Sequence, residues 1–350
     1  MALMKLYGNG VLVILVKHSF GGDMISVAMA VYNGSKYIIN QLESIRTQTR
    51  SVDEVIMTDD GSNDGTVELI EAYIKEHNLV GWKIIRNEQN LRFSKNFFKA
   101  VDLTSGDYIF LADQDDEWVE NKVELMIAEF EKDSELMALS STCIIIDGEG
   151  NDTSNKTKIS FPGEINGELV DHPYKELAFN SIIRGCTVCI RKEVAEQSHN
   201  VEVNLYLGHD WFYNTVASIL GKNKTLNVPL FRYRVHGENI SLERYQRETV
   251  LASTRQIKYD TLKQTADAHR FLLSQYKSVM KKEDIDFTNN MIKFFDKRLE
   301  MYDKKSLFMF IKLSLVNFKD YVNIHGTKKD ALHTILSDFM YVFNINFKMR

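Results

Sequence analysis

The sequence of 350 residues contains little proline and little cysteine, with three of each. Three cysteines cannot build a disulfide framework, and their number is typical of a protein in a reducing compartment. Three prolines exclude proline-rich linkers and collagen-like structure. With 44% hydrophobic and 26% charged residues, the chain is also too apolar for a disordered protein. We therefore expect a folded α/β or mixed protein.

No run of apolar residues is long enough to cross a membrane. The longest run near the N-terminus covers residues 11–16, whereas a membrane-spanning helix needs about 20 apolar residues. Residues 1–23 also lack the basic start and the cleavage site of a signal peptide. We interpret them as a leader or a mis-started segment, and we expect a cytoplasmic protein.

The glycine-rich loops that bind phosphate are missing as well. The sequence has neither G-x-G-x-x-G after its first predicted strand nor G-x-x-x-x-G-K-[ST] anywhere. Dinucleotide-dependent dehydrogenases and P-loop nucleotidases are therefore disfavoured. A formal net charge of −5 argues against a nucleic-acid partner, because phosphate backbones require clustered basic residues.

The sequence does contain a regular alternation of short β-branched runs with helical periods. Strands that alternate with helices of this length predict right-handed β-α-β crossovers. The expected fold is α/β, a doubly wound and mainly parallel sheet with helices on both faces. The predicted strands cover residues 25–31, 52–58, 82–86, 108–112, 136–146, 187–190 and 226–233. The predicted helices between them cover residues 37–48, 66–78, 92–103, 120–133, 173–179 and 210–220.

Beyond Ser241 only helical periods remain, so the chain is expected to end in an all-helical appendage. Its predicted helices cover residues 242–280, 284–303, 307–321 and 329–343. From Lys304 onward, 8 lysines and arginines stand against 3 acidic residues. Phe308, Ile311, Leu315 and Phe318 recur there at helical spacing. Such a helix either packs its apolar side on the rest of the protein or lies on an anionic membrane.

Polar clusters follow four of the predicted strands. They lie at residues 33–34, 59–62, 87–90 and 113–116. Ligands of open parallel sheets bind at the carboxyl ends of the strands, so the four clusters point to one site. Asp113, Asp115 and Asp116 place three carboxylates on one turn, which is costly unless a cation offsets them. Mg²⁺ or Mn²⁺ on a diphosphate fits these oxygen donors; a solvated helix start is the plainer alternative.

Five strings together resemble glycosyltransferase family 2, and more narrowly the bacterial rhamnosyltransferase-like members that build surface polysaccharides. The strings are residues 31–34, 59–66, 90–96, 113–118 and 209–211. The resemblance implies a GT-A catalytic domain over residues 24–240, followed by a helical C-terminal region over residues 241–350. Within the catalytic domain, residues 24–120 are the expected nucleotide-binding half and residues 136–240 the acceptor half.

The resemblance also implies roles for individual residues. It places the nucleotide against Tyr32, Asn33, Asp59, Asp60 and Asp113. Asp60 is expected on the base, Asp113 on the ribose and Asp115 on the metal that holds the diphosphate. Asp210 matches the position of the catalytic base. Arg92 stands where relatives have a small residue, and we leave its role open.

Each role in the second half has a plainer alternative. The acceptor hydroxyl must lose a proton, which calls for a carboxylate such as Asp210, yet an aspartate at a helix start is often only a cap. Trp211 either packs in the core or faces a sugar ring. Arg234 suits phosphate oxygens, and His236 is either a second metal ligand or a structural histidine. We predict that Asp116, Trp211 and Arg234 contact the acceptor or the diphosphate.

The predicted function is that of an inverting, metal-dependent glycosyltransferase. It would move rhamnose or a hexose from dTDP-rhamnose or a UDP-hexose to a hydroxyl of a growing polysaccharide or a lipid-linked oligosaccharide. Peripheral contact with an anionic membrane is expected at the inner face of the plasma membrane, and a homo-oligomer is left open. The alternative is a non-catalytic glycan-binding or scaffolding subunit of a polysaccharide assembly complex.

Overall fold

A mixed β-sheet with helices on both faces organises the chain. The structure is a computed structural model that describes residues 23–153, 165–179, 182–198, 208–237, 255–325 and 327–343. The strands in these ranges are β1 (Ile25–Val31), β2 (Glu54–Asp59), β3 (Trp82–Arg86), β4 (Tyr108–Ala112), β5 (Glu117–Trp118), β6 (Leu136–Ile146), β7 (Leu169–Asp171), β8 (Cys189–Arg191) and β9 (Lys222–Arg234).

The helices frame this sheet and then continue into the C-terminal region. In the first part of the chain they are α1 (Ile38–Arg46), α2 (Thr66–Glu76), α3 (Arg92–Asp102), α4 (Lys122–Lys132), α5 (Tyr174–Leu177), α6 (Lys192–Ala195) and α7 (Gly208–Leu220). The described C-terminal helices are α8 (Arg255–Tyr276), α9 (Lys282–Lys304), α10 (Leu307–Val316), α11 (Phe318–His325) and α12 (Lys328–Phe343). Short 3₁₀ turns cover Gly185–Thr187 and Glu196–Ser198.

The strand order explains where a ligand can bind. The described strands follow the order β3-β2-β1-β4-β8-β6-β9-β5, and β7 pairs with β9. The first four strands are parallel, whereas β8 runs antiparallel to both β4 and β6. The predicted α/β fold is therefore confirmed, with a parallel first half and a more mixed second half. The carboxyl ends of β1, β2 and β4 meet at one edge.

Alternation along the strands divides the core into two layers. In β1, Val27 and Met29 join the hydrophobic cluster that contains the buried sides of α1, α2 and α4, while Ala28 faces the opposite cluster with α3 and α7. This is the period of two that a buried strand imposes on its side chains. Helices consequently cover both faces of the sheet.

The C-terminal helices α8 and α9 extend the core on the α3 and α7 side. The His269 ring stacks on Phe179 at 4.1 Å, and its Nε2 lies 2.8 Å from the carbonyl oxygen of Ala178. The hydroxyls of Tyr174 and Thr288 are hydrogen-bonded at 2.7 Å. Of the two arrangements considered for the tail, these two helices adopt packing on the rest of the protein.

A buried ion pair ties three of the C-terminal helices together. The Arg298 guanidinium donates to both carboxylate oxygens of Asp338, at 2.9 and 2.8 Å. Asp338 also accepts hydrogen bonds from the hydroxyls of Tyr302 and Tyr321. Removing one partner of such a pair costs about 3–5 kcal/mol, because the other charge stays buried. Deleting the chain from residue 304 would therefore unfold this region.

The structure changes the bounds of two predicted elements. The strand predicted over residues 187–190 is present as β8 but begins at Cys189, after a 3₁₀ turn at Gly185–Thr187, so Cys186 and Cys189 lie in different elements. The predicted helix over residues 307–321 is two helices, because Asn317 ends α10 and donates to Asp320 at the start of α11. An asparagine side chain that bonds nearby polar groups competes with helix continuation.

Some predictions fall on residues outside those that the structure describes. These are residues 1–22 of the predicted leader over residues 1–23, and the start of the predicted C-terminal helix over residues 242–254. In the part of the chain that is described, no helix combines the length and the apolar character that crossing a bilayer requires.

Candidate active site

The loops that follow β1 and β4 are joined at the sheet edge. Gln114 accepts a hydrogen bond from the Tyr32 N–H and donates one to the Tyr32 carbonyl, both at 2.9 Å. Asn33 has a positive φ of 47°, which asparagine tolerates better than most residues, and its side chain accepts from the Asn63 N–H at 3.0 Å. The Tyr32 side chain remains 46% exposed, so an aromatic ring borders the crevice.

Asp59 and Asp60 are buried at the end of β2 and order their own loops. Asp59 accepts the backbone N–H groups of Gly61 and Ser62 at 3.2 Å. Asp60 accepts the N–H groups of Leu91 and Arg92 at 2.7 and 2.8 Å. Both carboxylates thereby fix the walls of the crevice, and the predicted contact of Asp60 with a base stays a prediction.

The acidic turn after β4 concentrates negative charge. Burial, together with the carboxylates of Asp115 and Asp210, raises the pKa of Asp113 to about 7. Burial and the carboxylates of Asp115 and Asp113 raise the pKa of Asp116. The Asp116 carboxylate accepts the Arg234 N–H at 2.8 Å through Oδ1, whereas its buried Oδ2 has no hydrogen-bond partner among the described residues. Clustered carboxylates with raised pKa values and an unpartnered oxygen are stabilised in their charged form by a nearby cation.

Two sets of side chains in this turn could bind a metal. Asp115 Oδ2 lies 2.9 Å from Nε2 of His236, so a carboxylate and an imidazole converge from β4 and the end of β9. Donor atoms of Asp113, Asp116 and Cys186 lie within 4.8 Å of one another. The carboxylate oxygens suit Mg²⁺ or Mn²⁺, whereas an imidazole is a donor for transition metals. The donor set thus fits a divalent cation at the predicted position.

Asp210 lies in the first turn of α7, beside the acidic turn. Its Oδ1 is 2.6 Å from Nε2 of His209, and the His209 ring is buried in a stack on Phe97 at 4.0 Å between ring centroids. Burial favours the neutral acid, but His209 and the Gly185 N–H outweigh it and hold the pKa of Asp210 below its usual range. Asp210 is therefore a carboxylate at neutral pH.

Gly185 permits this close arrangement. A Cβ atom built on it would lie 2.3 Å from Asp210 Oδ1 and 2.8 Å from His209 Nε2. Contacts this short do not occur for real Cβ atoms, and both neighbours belong to the His209–Asp210 pair. The 3₁₀ turn that starts at Gly185 also carries Cys186, whose thiol hydrogen-bonds to Asp113. One turn thus lies between the acidic turn and Asp210.

The structure engages Trp211 and Arg234 in contacts with the protein itself. Trp211 is buried, and its indole N–H donates to the Ala178 carbonyl at 2.8 Å, which is the core alternative. The buried Arg234 donates to the Asp115 carbonyl at 2.9 Å and forms an ion pair with Glu117. Its guanidinium holds the acidic turn in place. The predicted contacts of these two side chains with the acceptor or the diphosphate stay predictions.

Sequence reasoning missed Lys122, a fully buried lysine beneath the acidic turn. Its Nζ donates to the Cys186 carbonyl at 3.2 Å and lies 4.2 Å from the Trp118 ring. Burial lowers its pKa to about 8, against the opposing effect of the charges near it. No periodicity marks this lysine, since it occupies an ordinary first-turn position of α4.

A family profile covers the first half of the site. Residues 26–192 match the profile described as "Glycosyl transferase family 2". Residues 26–192 therefore form a glycosyl transferase family 2 domain. The family 2 match contains β1, β2, β4 and the acidic turn, and it ends before α7 and β9, which carry Asp210 and His236.

The curated relatives of this chain include a chondroitin synthase and a rhamnosyl transferase. The chain is 29% identical to a chondroitin synthase of Escherichia coli over 63% of its own length and 30% of that protein. It is 28% identical to the dTDP-rhamnosyl transferase RfbG of Shigella flexneri over 63% of its own length and 77% of that protein. The chain spans less than two thirds of the first relatives that it matches.

Solved structures confirm the fold. The structure of S. aureus TarS 1-349 in complex with UDP-GlcNAc superposes with a TM-score of 0.57, covering 92% of this chain and 89% of TarS at 16% identity. Because the identity is so low, this likeness shows the fold alone. It extends across both the family 2 domain and the helical region.

Proposed function

We propose that this protein transfers a sugar from a nucleoside diphosphate donor to a hydroxyl group of a growing cell-surface polysaccharide or lipid-linked oligosaccharide, with inversion at the anomeric carbon. The donor is dTDP-rhamnose or a UDP-hexose, a choice supported by the likeness to RfbG and to the UDP-GlcNAc-binding TarS. The observation that carries the proposal is the position of the ionised Asp210 beside the acidic turn of the family 2 domain.

Asp210 would accept the proton of the acceptor hydroxyl. A general base must be ionised at the working pH and must keep its orientation. The 2.6 Å contact with His209 and the N–H of Gly185 provide both conditions. His209 is a positioning residue in this scheme, because its buried ring contacts the base and Phe97 rather than the substrate.

Asp115 and His236 would hold Mg²⁺ or Mn²⁺ against the donor diphosphate. When bound, the metal supplies positive charge to the departing diphosphate. Arg234 keeps this pair in register, because it binds the Asp115 carbonyl from the end of β9, two residues before His236. Beneath this proposed metal site, the positive charge of Lys122 partly offsets the negative charge of Asp116.

The nucleotide would lie across the ends of β1, β2 and β4. Tyr32 offers an exposed ring to the base, and the Asn33 loop is fixed by Ser62 and Asn63. Asp113 would face the ribose and Asp60 the base. The acceptor would approach from the side of α7, on the other side of the Gly185 turn.

Nucleotide binding is the first test of this proposal. We expect UDP or dTDP to bind with Mn²⁺ in isothermal titration calorimetry, and Asp115→Asn to weaken that binding about tenfold or more, because a metal ligand is lost. The matched control is Asp267→Asn, an exposed carboxylate on α8. If no nucleoside diphosphate bound the wild-type protein, the non-catalytic glycan-binding alternative would replace this proposal.

The pH profile tests the position of His209. Asp210 works as a base only when ionised, and His209 lowers its pKa while burial raises it. In His209→Phe the burial remains and the lowering is lost, so the carboxyl becomes protonated at a higher pH. We expect the acidic limb of nucleotide release to move upward by about one to three pH units. An unchanged limb would assign His209 a purely structural role.

A further inference from the structure

Helix α10 presents most of its apolar side chains to solvent. Phe308 is 75% exposed, Leu315 is 76% exposed and Val316 is 72% exposed, and Leu307 and Ile311 are about half exposed. Single exposed apolar residues are ordinary on protein surfaces. Five of them on one ten-residue helix form a patch, and such patches mark interaction sites.

The exposed residues share one side of the helix. At about 100° per residue, positions 307, 308, 311, 315 and 316 fall within one half of the helical circumference. Leu313, on the other half, is buried in the core that the C-terminal helices share. The helix is thus anchored to the protein by one side and leaves an apolar face on the other, which we call the α10 face.

Lysines surround and interrupt the α10 face. Lys304 and Lys305 precede the helix, Lys312 lies within it directly after Ile311, and Lys319 follows on α11. All four lysines are exposed. Helix α10 itself contains no acidic residue. Lys304 forms an ion pair with Glu300, so part of the nearby positive charge is balanced.

The mixture of exposed apolar side chains and lysines favours one kind of binding partner for the α10 face over the others. An apolar protein partner or a second copy would have to bury Lys312 in the middle of a dry interface, which is costly for an unpaired ammonium. A bilayer surface accepts both parts, because the apolar side chains enter the acyl boundary while the lysines stay among anionic headgroups. At about 15 Å long, α10 is too short to span a membrane and suited to lie in its surface.

We propose that the α10 face docks this protein on an anionic lipid bilayer. Docking requires no sugar donor, so it stands or falls separately from the transfer reaction. It would hold the protein at the surface where a lipid-linked acceptor resides.

Vesicle flotation of the full-length protein tests the apolar part of the face. We expect binding to vesicles that contain phosphatidylglycerol and a tenfold or greater loss in Phe308→Ser/Leu315→Ser, as roughly expected when two large side chains no longer insert. The matched control is Val80→Ser/Val279→Ser, which removes two other exposed apolar side chains, 94% and 56% exposed, outside α10. Equal binding by both double variants would overturn the proposal.

Lysine variants test the electrostatic part and do not risk misfolding. Lys305→Gln/Lys312→Gln/Lys319→Gln should weaken binding to anionic vesicles by roughly fivefold per lysine near the surface, and added salt should have the same effect. Lys75→Gln/Lys83→Gln/Lys297→Gln, all exposed elsewhere, should not. Equal binding of the wild-type protein to pure phosphatidylcholine would overturn the anionic part.

Two further measurements separate failure of this proposal from other failures. Calorimetry with UDP and Mn²⁺ should give the same affinity for every variant, since none touches the sheet edge. Sedimentation should show the same mass for the wild type and Phe308→Ser/Leu315→Ser. If that variant instead dissociated an oligomer, the α10 face would be an interface between copies and the membrane proposal would be wrong.

Discussion

Asp210→Asn should lower the rate of sugar transfer by about 100- to 10,000-fold, the range that a general base contributes. The amide has nearly the same shape as the carboxylate but cannot accept the acceptor proton. Binding of UDP or dTDP with Mn²⁺ should stay at the wild-type affinity, because Asp210 lies on α7 rather than on the strands that line the nucleotide. Nucleotide release at saturating donor and acceptor, together with calorimetry, checks both parts.

The control for this variant is Asp286→Asn, which removes an exposed carboxylate on α9. It should retain full turnover. Wild-type turnover by Asp210→Asn would show that another group takes the proton, and Asp113 would be the next candidate because its charge lies close to Asp210. Loss of nucleotide binding in Asp210→Asn would contradict the separation of the two subsites.

Gly185→Ala should lower turnover by about 100-fold, although the substitution adds only one methyl group. The added Cβ would stand 2.3 Å from Asp210 Oδ1, so the base or the 3₁₀ turn has to move. A displacement of about 1 Å at a reacting group costs roughly 100-fold in rate. Because the turn also contacts Asp113 through Cys186, a moderate loss of nucleotide affinity should accompany it.

Gly221→Ala is the matched control for crowding alone. Its Cβ would lie 2.4 Å from the Glu135 carbonyl oxygen, so overpacking should destabilise the protein by a similar roughly 1–3 kcal/mol. The position follows the opposite end of α7, about 16 Å from Asp210 along the helix. Each folded Gly221→Ala molecule should transfer sugar at the wild-type rate. Equal losses of turnover in the two variants would mean that destabilisation, rather than displacement of Asp210, explains the effect.

The elements of the fold were predictable where local periodicity decides them. The strand and helix of each β-α unit in residues 25–132 have the spacing of buried strands and amphipathic helices, and the edge that carries Asp59 and Asp113 followed from the parallel order. The pairing of β6 with β9 was not predictable, because it joins strands that are far apart in sequence. The contact of Asp115 with His236 depends on that pairing.

In the second half of the site, the sequence indicated which residue types could take part. It did not indicate which residues they contact. Asp210 was identified through a resemblance, but its charge state depends on the stacked ring of His209 and on the missing side chain of Gly185. Trp211 and Arg234 have side chains suited to ligands, and tertiary packing used them to fill and brace the core. Lys122 had no sequence signal at all.

In the C-terminal tail, too, the sequence indicated a local pattern but not the tertiary contacts. The spacing of Phe308, Ile311 and Leu315 correctly indicated one apolar face. It could not indicate whether that face was covered, because the covering residues would come from other helices. The break at Asn317 and the burial of Leu313 turn the helix so that this face points outward.

The shared core of the sheet and helices α8 and α9 has a consequence for how such proteins can recombine. The family 2 profile stops at residue 192, but α7 and β9 complete the candidate site, and His269 of α8 hydrogen-bonds to the Ala178 carbonyl and packs against Trp211 of α7. A segment cut at the profile boundary would leave the proposed base Asp210 behind, and one cut after β9 would expose Phe179 and Trp211. The smallest segment that keeps the candidate site together with its packing therefore reaches at least through α9.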